Sequence, residues 1–188
     1  GGISIMSELR TNRIVPRDGL TSTTTSAGGI IQVKHTIFSS TYSRATSSYN
    51  FGAIVTSDSI TPTRSDSKIL IQCVMYMSSG NSSGRFGYRV MRVPVGGSAT
   101  HITPTQYGDG DGNRQQVATY FRQNSTSDMQ PLVFNGIDAP STTSPVTYSI
   151  YSSGEQSDTI YVNRTNSNTD SASHYRPIST ITLMEVSG

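Results

Sequence analysis

The chain of 188 residues carries 14 basic and 12 acidic side chains, a formal net charge of +2, and an apolar fraction of 33%. That length suits one domain with an appendage, the low net charge argues against a disordered chain, and no apolar stretch approaches the roughly 20 residues that span a bilayer. Ile, Val and Thr number 52 against 17 for Ala, Leu, Glu and Lys together; β-branched side chains lose rotamer freedom in a helical turn and pack well on a pleated sheet, so composition predicts an all-β protein.

The first segment, residues 1–29, reads as an extended arm. Gly1 to Ile5 precede Met6-Ser7-Glu8, which has the look of a natural start, so these five residues are expected to be an addition. Arg10, Arg13 and Arg17 then surround the short apolar patch Ile14-Val15-Pro16, and the polar tract Thr21 to Ser26 follows. So little apolar matter cannot fold alone, and the arm is expected to lie on a neighbouring subunit or a partner particle, with Arg10, Arg13, Ile14, Pro16 and Arg17 as its docking residues.

Residues 30–188 are predicted to form one β-sandwich domain. Ile30 to Ile37 alternates, and Phe51 to Val55 follows a loop rich in Ser, Thr and Tyr. Ile69 to Met77 is a continuous apolar run suited to the middle of a sandwich, and Arg85 to Val93 succeeds it across the hairpin loop Gly80-Asn81-Ser82-Ser83-Gly84. Further strands are predicted at 100–103, 116–121, 129–134, 146–151, 159–163 and 178–186, nine or ten in all. Many short strands divided by Gly, Asn and Ser, without helical patterns or an internal repeat, indicate a two-sheet antiparallel sandwich or jelly roll. The thin supply of apolar residues suggests a core completed by oligomerisation.

Letter matches to catalytic motifs are weak. Gly80 to Gly84 fits G-x-S-x-G, but that motif needs a strand running into a helix, and here a strand follows. Ser65-Asp66-Ser67-Lys68 fits S-x-x-K without its companion motifs and reads as a turn entering the core strand. Asp109, Asp111 and Asn113 place oxygen donors at alternate positions like the first half of a calcium loop, yet Arg114 stands where that loop needs glycine and Tyr120 where it needs the bidentate glutamate. An exposed turn is the better reading, and Asp109, Asp111 and Asn113 stay a weak metal candidate. His35, His101 and His174 are scattered and lack cysteine partners, so no zinc spacing exists. No cofactor is expected. Cys73, alone and inside an apolar run, is expected to be a buried small hydrophobe.

Arg85, Arg89 and Arg92 around Phe86 and Tyr88 are the nearest approach to a basic stripe; strand alternation puts Arg92 on the other face from Arg85 and Arg89, so solvated positions or ion pairs are expected rather than nucleic-acid binding. Tyr42, Tyr49, Tyr107 and Tyr175 fall in predicted loops as candidate surface contacts, able to stack on sugars or partner proteins. The scattered acids leave open a pair suited to sugar hydrolysis.

Toward the C-terminus, the stretches Asp138 to Tyr148, Ile160-Tyr161-Val162-Asn163-Arg164 and Ser179 to Val186 resemble the C-terminal domain of small structural and tail-fibre-type proteins of marine bacteriophages, cyanophages above all. Gly29-Ile30-Ile31-Gln32-Val33 and Ser65 to Ile71 are similar to the opening strands of that pattern, and Leu9 to Gly19 to its leader. The resemblance spans most of the chain and is thinnest at 94–130. It implies a jelly-roll head like the tumour-necrosis-factor and complement globular domains, a homotrimer displayed on the virion surface, without enzymatic activity. No shaft, heptad or β-helix repeat precedes the head, which fits a capsid knob or decoration, or a fibre tip, better than a long fibre. The resulting expectation is a trimeric virion appendage, attached to other virion proteins through its arm and touching a host surface glycan or protein through loops 42–50, 105–114 and 165–176, with neither nucleic acid nor membrane as partner. The alternatives are an envelope polysaccharide depolymerase, which would need two carboxylates roughly 5 to 10 Å apart in a groove, and a carbohydrate-binding module.

Overall fold

The computed structural model describes residues 29–187, and these residues form eleven strands and no helix. They are β1 Ile30–Phe38, β2 Tyr42–Thr46, β3 Gly52–Thr56, β4 Lys68–Ser79, β5 Arg85–Pro94, β6 Thr100–His101, β7 Thr119–Arg122, β8 Gln130–Asp138, β9 Val146–Gly154, β10 Asp158–Val162 and β11 Ser179–Val186. The docking residues expected in the arm, Arg10, Arg13, Ile14, Pro16 and Arg17, lie outside the described residues.

All pairings are antiparallel and sort into two sheets. In the first, β11 joins β1 to β4, pairing Lys68 to Val74, while β10 takes over the same edge of β4 at Met77 to Ser79 and carries β2 outside it. β8 runs along the opposite edge of β4 from Ile69 to Met77. In the second sheet, β9 lies between β3 and β5, and the far edge of β5 takes β7 at one end and β6 at the other. With β2, β6 and β10 set aside as additions, the eight remaining strands in chain order stack first, eighth, third, sixth in one sheet and second, seventh, fourth, fifth in the other. That order is the double Greek key of a jelly roll.

The core lies between the sheets. Ile69, Ile71, Cys73, Met75 and Met77 of β4 meet Tyr88, Val90, Tyr148 and Ile150 of the opposing sheet, and Leu132, Phe134, Ile181 and Leu183 widen the layer. Cys73 is buried and unpaired as the sequence indicated, and burial pushes its thiol up to about 12.

Two features differ from the sequence reading. Tyr42 to Thr46 is a strand, not a loop, so Tyr42 belongs to β2; backbone pairing with β10 holds it, and Arg44 donates across to the Ser152 carbonyl at 2.9 Å. Gly80 to Gly84 is not a hairpin loop, because β4 and β5 belong to different sheets and the segment crosses the sandwich.

Polar groups pin the interior at three points. Asn163, with φ of 59°, fills the notch where β10 gives way to β11: its amide donates to the carbonyls of Phe38 and Ser40, and its oxygen accepts from Ser179 Oγ at 2.6 Å. Asn tolerates this left-handed conformation better than most residues. Asp138, fully buried, accepts from Arg92, from the Tyr148 hydroxyl at 2.8 Å and from the Thr103 amide at 2.6 Å, tying the two sheets together. Glu185, also fully buried, accepts from Gln32 Nε2 at 2.5 Å and from the amide and hydroxyl of Thr63, each at 2.7 Å. Burial alone would raise its pKa; the hydrogen bonds from Gln32 and Thr63 outweigh that and hold it down to about 2.

Candidate functional site

Two surfaces on opposite sides of the sandwich stand out. The first is the outer face of the six-stranded sheet. Register fixes which side chains share it: Val33, Met184, Leu70 and Ile137 form one row, His35, Thr182, Gln72 and Asn135 the next, and Ile37, Thr180, Val74 and Val133 a third. Strand β1 is inverted relative to a solvent-facing edge strand. Its inward positions are Gln32, Lys34 and Thr36 ahead of the buried Phe38, whereas Val33 and Ile37 point outward at 53% and 55% exposure. Val133 on β8 is 52% exposed at the other edge. An antiparallel sheet with one wet face ordinarily turns polar residues to the water; here two apolar rows flank a polar one, in which His35 Nδ1 and Thr182 Oγ1 lie 2.8 Å apart. Large exposed apolar patches mark contact sites.

The second surface is a cleft of about 640 Å³ on the outer side of the five-stranded sheet. Its floor is β5 and β9, where Gly87 faces outward opposite Ser153 and Tyr120. A Cβ at Gly87 would lie 2.5 Å from Val117 Cγ1, so only glycine lets the 113–117 segment close one wall. The opposite wall is Tyr49 and Phe51. Tyr49 has φ of 57°, an uncommon conformation for a bulky residue, and its amide donates to the Gly154 carbonyl at 2.8 Å, which fixes a ring that is 58% exposed. Tyr120, 55% exposed, supplies a second ring.

The charges around the cleft are unevenly matched. Arg85 donates to Glu155 at 2.7 Å, and Arg114 is bound to Asp111. Arg89 lies on Phe51, its guanidinium carbon 3.8 Å from the ring centroid, and its Nε donates to the Gln116 carbonyl. Arg122 sits directly opposite Arg85 in the β5–β7 ladder and has no ion-pair partner among the described residues. Among the residues lining the cleft, Glu155 is the one carboxylate, and it is held by Arg85.

Of the four tyrosines singled out in the sequence, the structure brings one, Tyr49, to this cleft. Tyr42, at the start of β2, packs edge-on against Phe38 at the end of β1. Tyr107 is not a free contact residue: its hydroxyl donates to the Val90 carbonyl at 2.6 Å, its ring meets His101 edge-on at 5.2 Å, and burial pushes its pKa up to about 12. Tyr175 is 80% exposed and borders a separate shallow depression with Met129 and His174. Asp109, Asp111 and Asn113 are all exposed; Asp111 is engaged by Arg114 in the turn, and no cluster of three Asp, Glu, His or Cys residues exists among the described residues. Arg92 faces inward, as strand alternation indicated, and pairs with Asp138. Tyr120 was missed in the sequence, although its outward direction follows from its neighbour Phe121, which stacks on the buried Phe86.

No family model matches the chain, and no curated protein does. Among solved structures it is similar to a chain of the infectious bursal disease virus Gx strain structure, 14% identical over 92% of this chain and 42% of that one, with a TM-score of 0.42. A chain of the Gt strain structure gives 10% identity, 92% and 44% coverage and a TM-score of 0.41. The VP2 subviral particle of the same virus gives 11%, 92% and 44%, and 0.35. This chain spans less than half the length of those chains, and likeness at this level carries no function across.

Proposed function

We propose that this chain is a non-enzymatic virion structural protein, a homotrimeric jelly-roll appendage such as a capsid knob, decoration or fibre tip, attached to the particle through its N-terminal arm. The observation that carries the assembly is the inverted outer face of the six-stranded sheet, where apolar side chains are spent on solvent by a chain that has few of them. Covering Val33, Ile37 and Val133 with a second copy recovers burial that the monomer leaves unused. A threefold arrangement buries this one sheet face on every copy and leaves the five-stranded face free. The virion assignment rests on the sequence resemblance to marine phage structural proteins together with a jelly-roll strand order; the absence of a second carboxylate from the cleft lining weighs against the depolymerase alternative.

Two measurements test this. Light scattering on the purified chain is expected to give the mass of three copies; a monomer at all concentrations would refute the assembly. Labelled antibody on purified phage particles is expected to decorate the virion surface, and a protein found solely in the host cell fraction would refute the virion role.

A further inference from the structure

We propose that the cleft between Tyr49, Phe51, Tyr120 and the 113–117 segment is a binding site for an acidic oligosaccharide, one built from sugars that carry carboxylates. The inference deepens the surface-contact part of the reading above and names its ligand class.

Three independent features lead there. The cleft is roomy and pre-formed: Gly87 admits Val117 against the sheet, and the Gly154 carbonyl locks Tyr49, so neither wall has to be built on binding. Pre-organisation of this kind removes ordering costs that a weak ligand could not offset. The rings of Tyr49 and Tyr120 remain more than half exposed although an apolar core lies directly beneath them; a tyrosine offers an apolar face for the C–H side of a sugar ring and a hydroxyl at its edge. Asn113 and Gln115 also line the cleft, neutral groups of the type that bond to sugar hydroxyls.

The charge pattern sets the ligand's sign. Arg85 and Arg122 are directly opposed across an antiparallel ladder, an arrangement that is destabilising on its own. Glu155 answers one of them. Counting Arg85, Arg89, Arg114 and Arg122 against Asp111 and Glu155, the rim keeps a surplus of positive charge. Guanidinium groups are suited to bidentate contact with carboxylates, and an acidic sugar would satisfy the opposed pair where a neutral one would not.

The test uses the full chain and calorimetric or NMR titration with three acidic probes, hexagalacturonate, an alginate hexamer and a sialic acid oligomer, against neutral maltohexaose. At least one acidic probe is expected to bind about tenfold or more tighter than maltohexaose, a difference of about 1.4 kcal/mol, and to weaken as salt is raised. Tyr120→Ala should weaken that binding about tenfold, whereas Tyr120→Phe should keep most of it; Arg122→Gln should lower the acidic preference without touching maltohexaose. Tyr120 and Arg122 are both exposed, so these variants are expected to fold, which a melting curve verifies. Failure of all three acidic probes, equal binding of the neutral one, indifference to Tyr120→Ala, or stronger binding of polyglutamate would each overturn the assignment. Because mass and affinity are measured separately, a trimer that binds no sugar sinks this inference alone, while a monomer that binds sugar sinks the assembly alone.

Discussion

The sharpest consequence of the inverted sheet face is the effect of charging it. Ile37 and Val133 stand in one row across the six-stranded sheet, joined by Thr180 and Val74, and each is about half exposed. Complete burial of such a side chain is worth roughly 1.5–3 kcal/mol, so covering the remaining half returns about 1 kcal/mol per residue and about 3 kcal/mol over three copies for Ile37 alone. Losing that much weakens assembly roughly 150-fold. In Ile37→Lys an uncompensated charge must also enter the interface, at a cost of several kcal/mol per copy unless it escapes to the rim. The double variant Ile37→Lys, Val133→Lys is therefore expected to be monomeric at concentrations where the parent is a trimer. Because both positions point away from the core, the monomer's own unfolding should shift by no more than about 0.5 kcal/mol per site. Sedimentation equilibrium across a hundredfold concentration range, with a urea titration beside it, separates the two quantities. A charged variant that keeps the parent's mass would refute the reasoning, since a threefold interface through this row would have to take in six added lysines.

Other predictions follow from the buried polar groups. Glu185 ionises at about 2 when folded against an ordinary value of 4.5, so its stabilising contribution is present above pH 4.5 and lost as pH falls toward 2; Glu185→Gln should cost about 3 kcal/mol at neutral pH and flatten the acid limb of a stability–pH curve. Asp138→Asn strips the counter-charge from the largely buried Arg92 guanidinium and should cost about 3–5 kcal/mol in denaturant, whereas adding Arg92→Met removes the unpaired cation while position 138 still offers an acceptor to the Tyr148 hydroxyl and the Thr103 amide, and should recover part of that. The hydroxyl of Tyr88 is buried and has no hydrogen-bond partner, so Tyr88→Phe should raise stability by about 1 kcal/mol or leave it level; a loss above 1 kcal/mol would reveal a partner for that oxygen.

Much of the sandwich was legible because its strands announce themselves by period. The run from Ile69 to Met77 and the alternation of Ser179 to Val186 are dense in β-branched and apolar residues, and both are strands close to the residues predicted. Strand β2 was hidden because its inward side is Tyr42, Arg44 and Thr46, of which only Thr46 is buried, and the strand exists through backbone pairing to β10, a contact more than a hundred residues away. The segment 80–84 could not reveal whether it turns a hairpin or crosses the sandwich, since five polar residues serve either purpose and the choice is made by which sheet each flanking strand joins. Parity did contain an unread signal. Glu185 continues the inward series of Ile181 and Leu183, and Asp138 that of Leu132 and Phe134, so a charged residue at a core-facing position was visible before its partners were. The cleft was legible in part: Tyr49 was singled out as an exposed aromatic, but its pairing with Tyr120 and the opposed Arg85 and Arg122 depends on the β5–β7 register, which no local pattern supplies.

The placement of the two surfaces has a consequence for affinity. Stacked sheets lie about 10 Å apart face to face, so the apolar face and the cleft are separated by the full thickness of the sandwich and one can be covered without obstructing the other. If three copies meet through the six-stranded face, each presents its cleft outward, and the three clefts are held at fixed spacing by a rigid β framework. A cleft as open as this one, with two rings and a handful of hydrogen-bonding groups, is suited to weak single-site binding. Linked threefold display raises the effective concentration for the second and third contacts and can multiply avidity by 10² or more without any new contact. The monomeric variant Ile37→Lys, Val133→Lys should therefore keep the parent's affinity for a short acidic oligosaccharide and lose most of its retention on a surface densely coated with the same sugar. Equal retention of monomer and parent on that surface would show that the apolar face and the cleft do not act together.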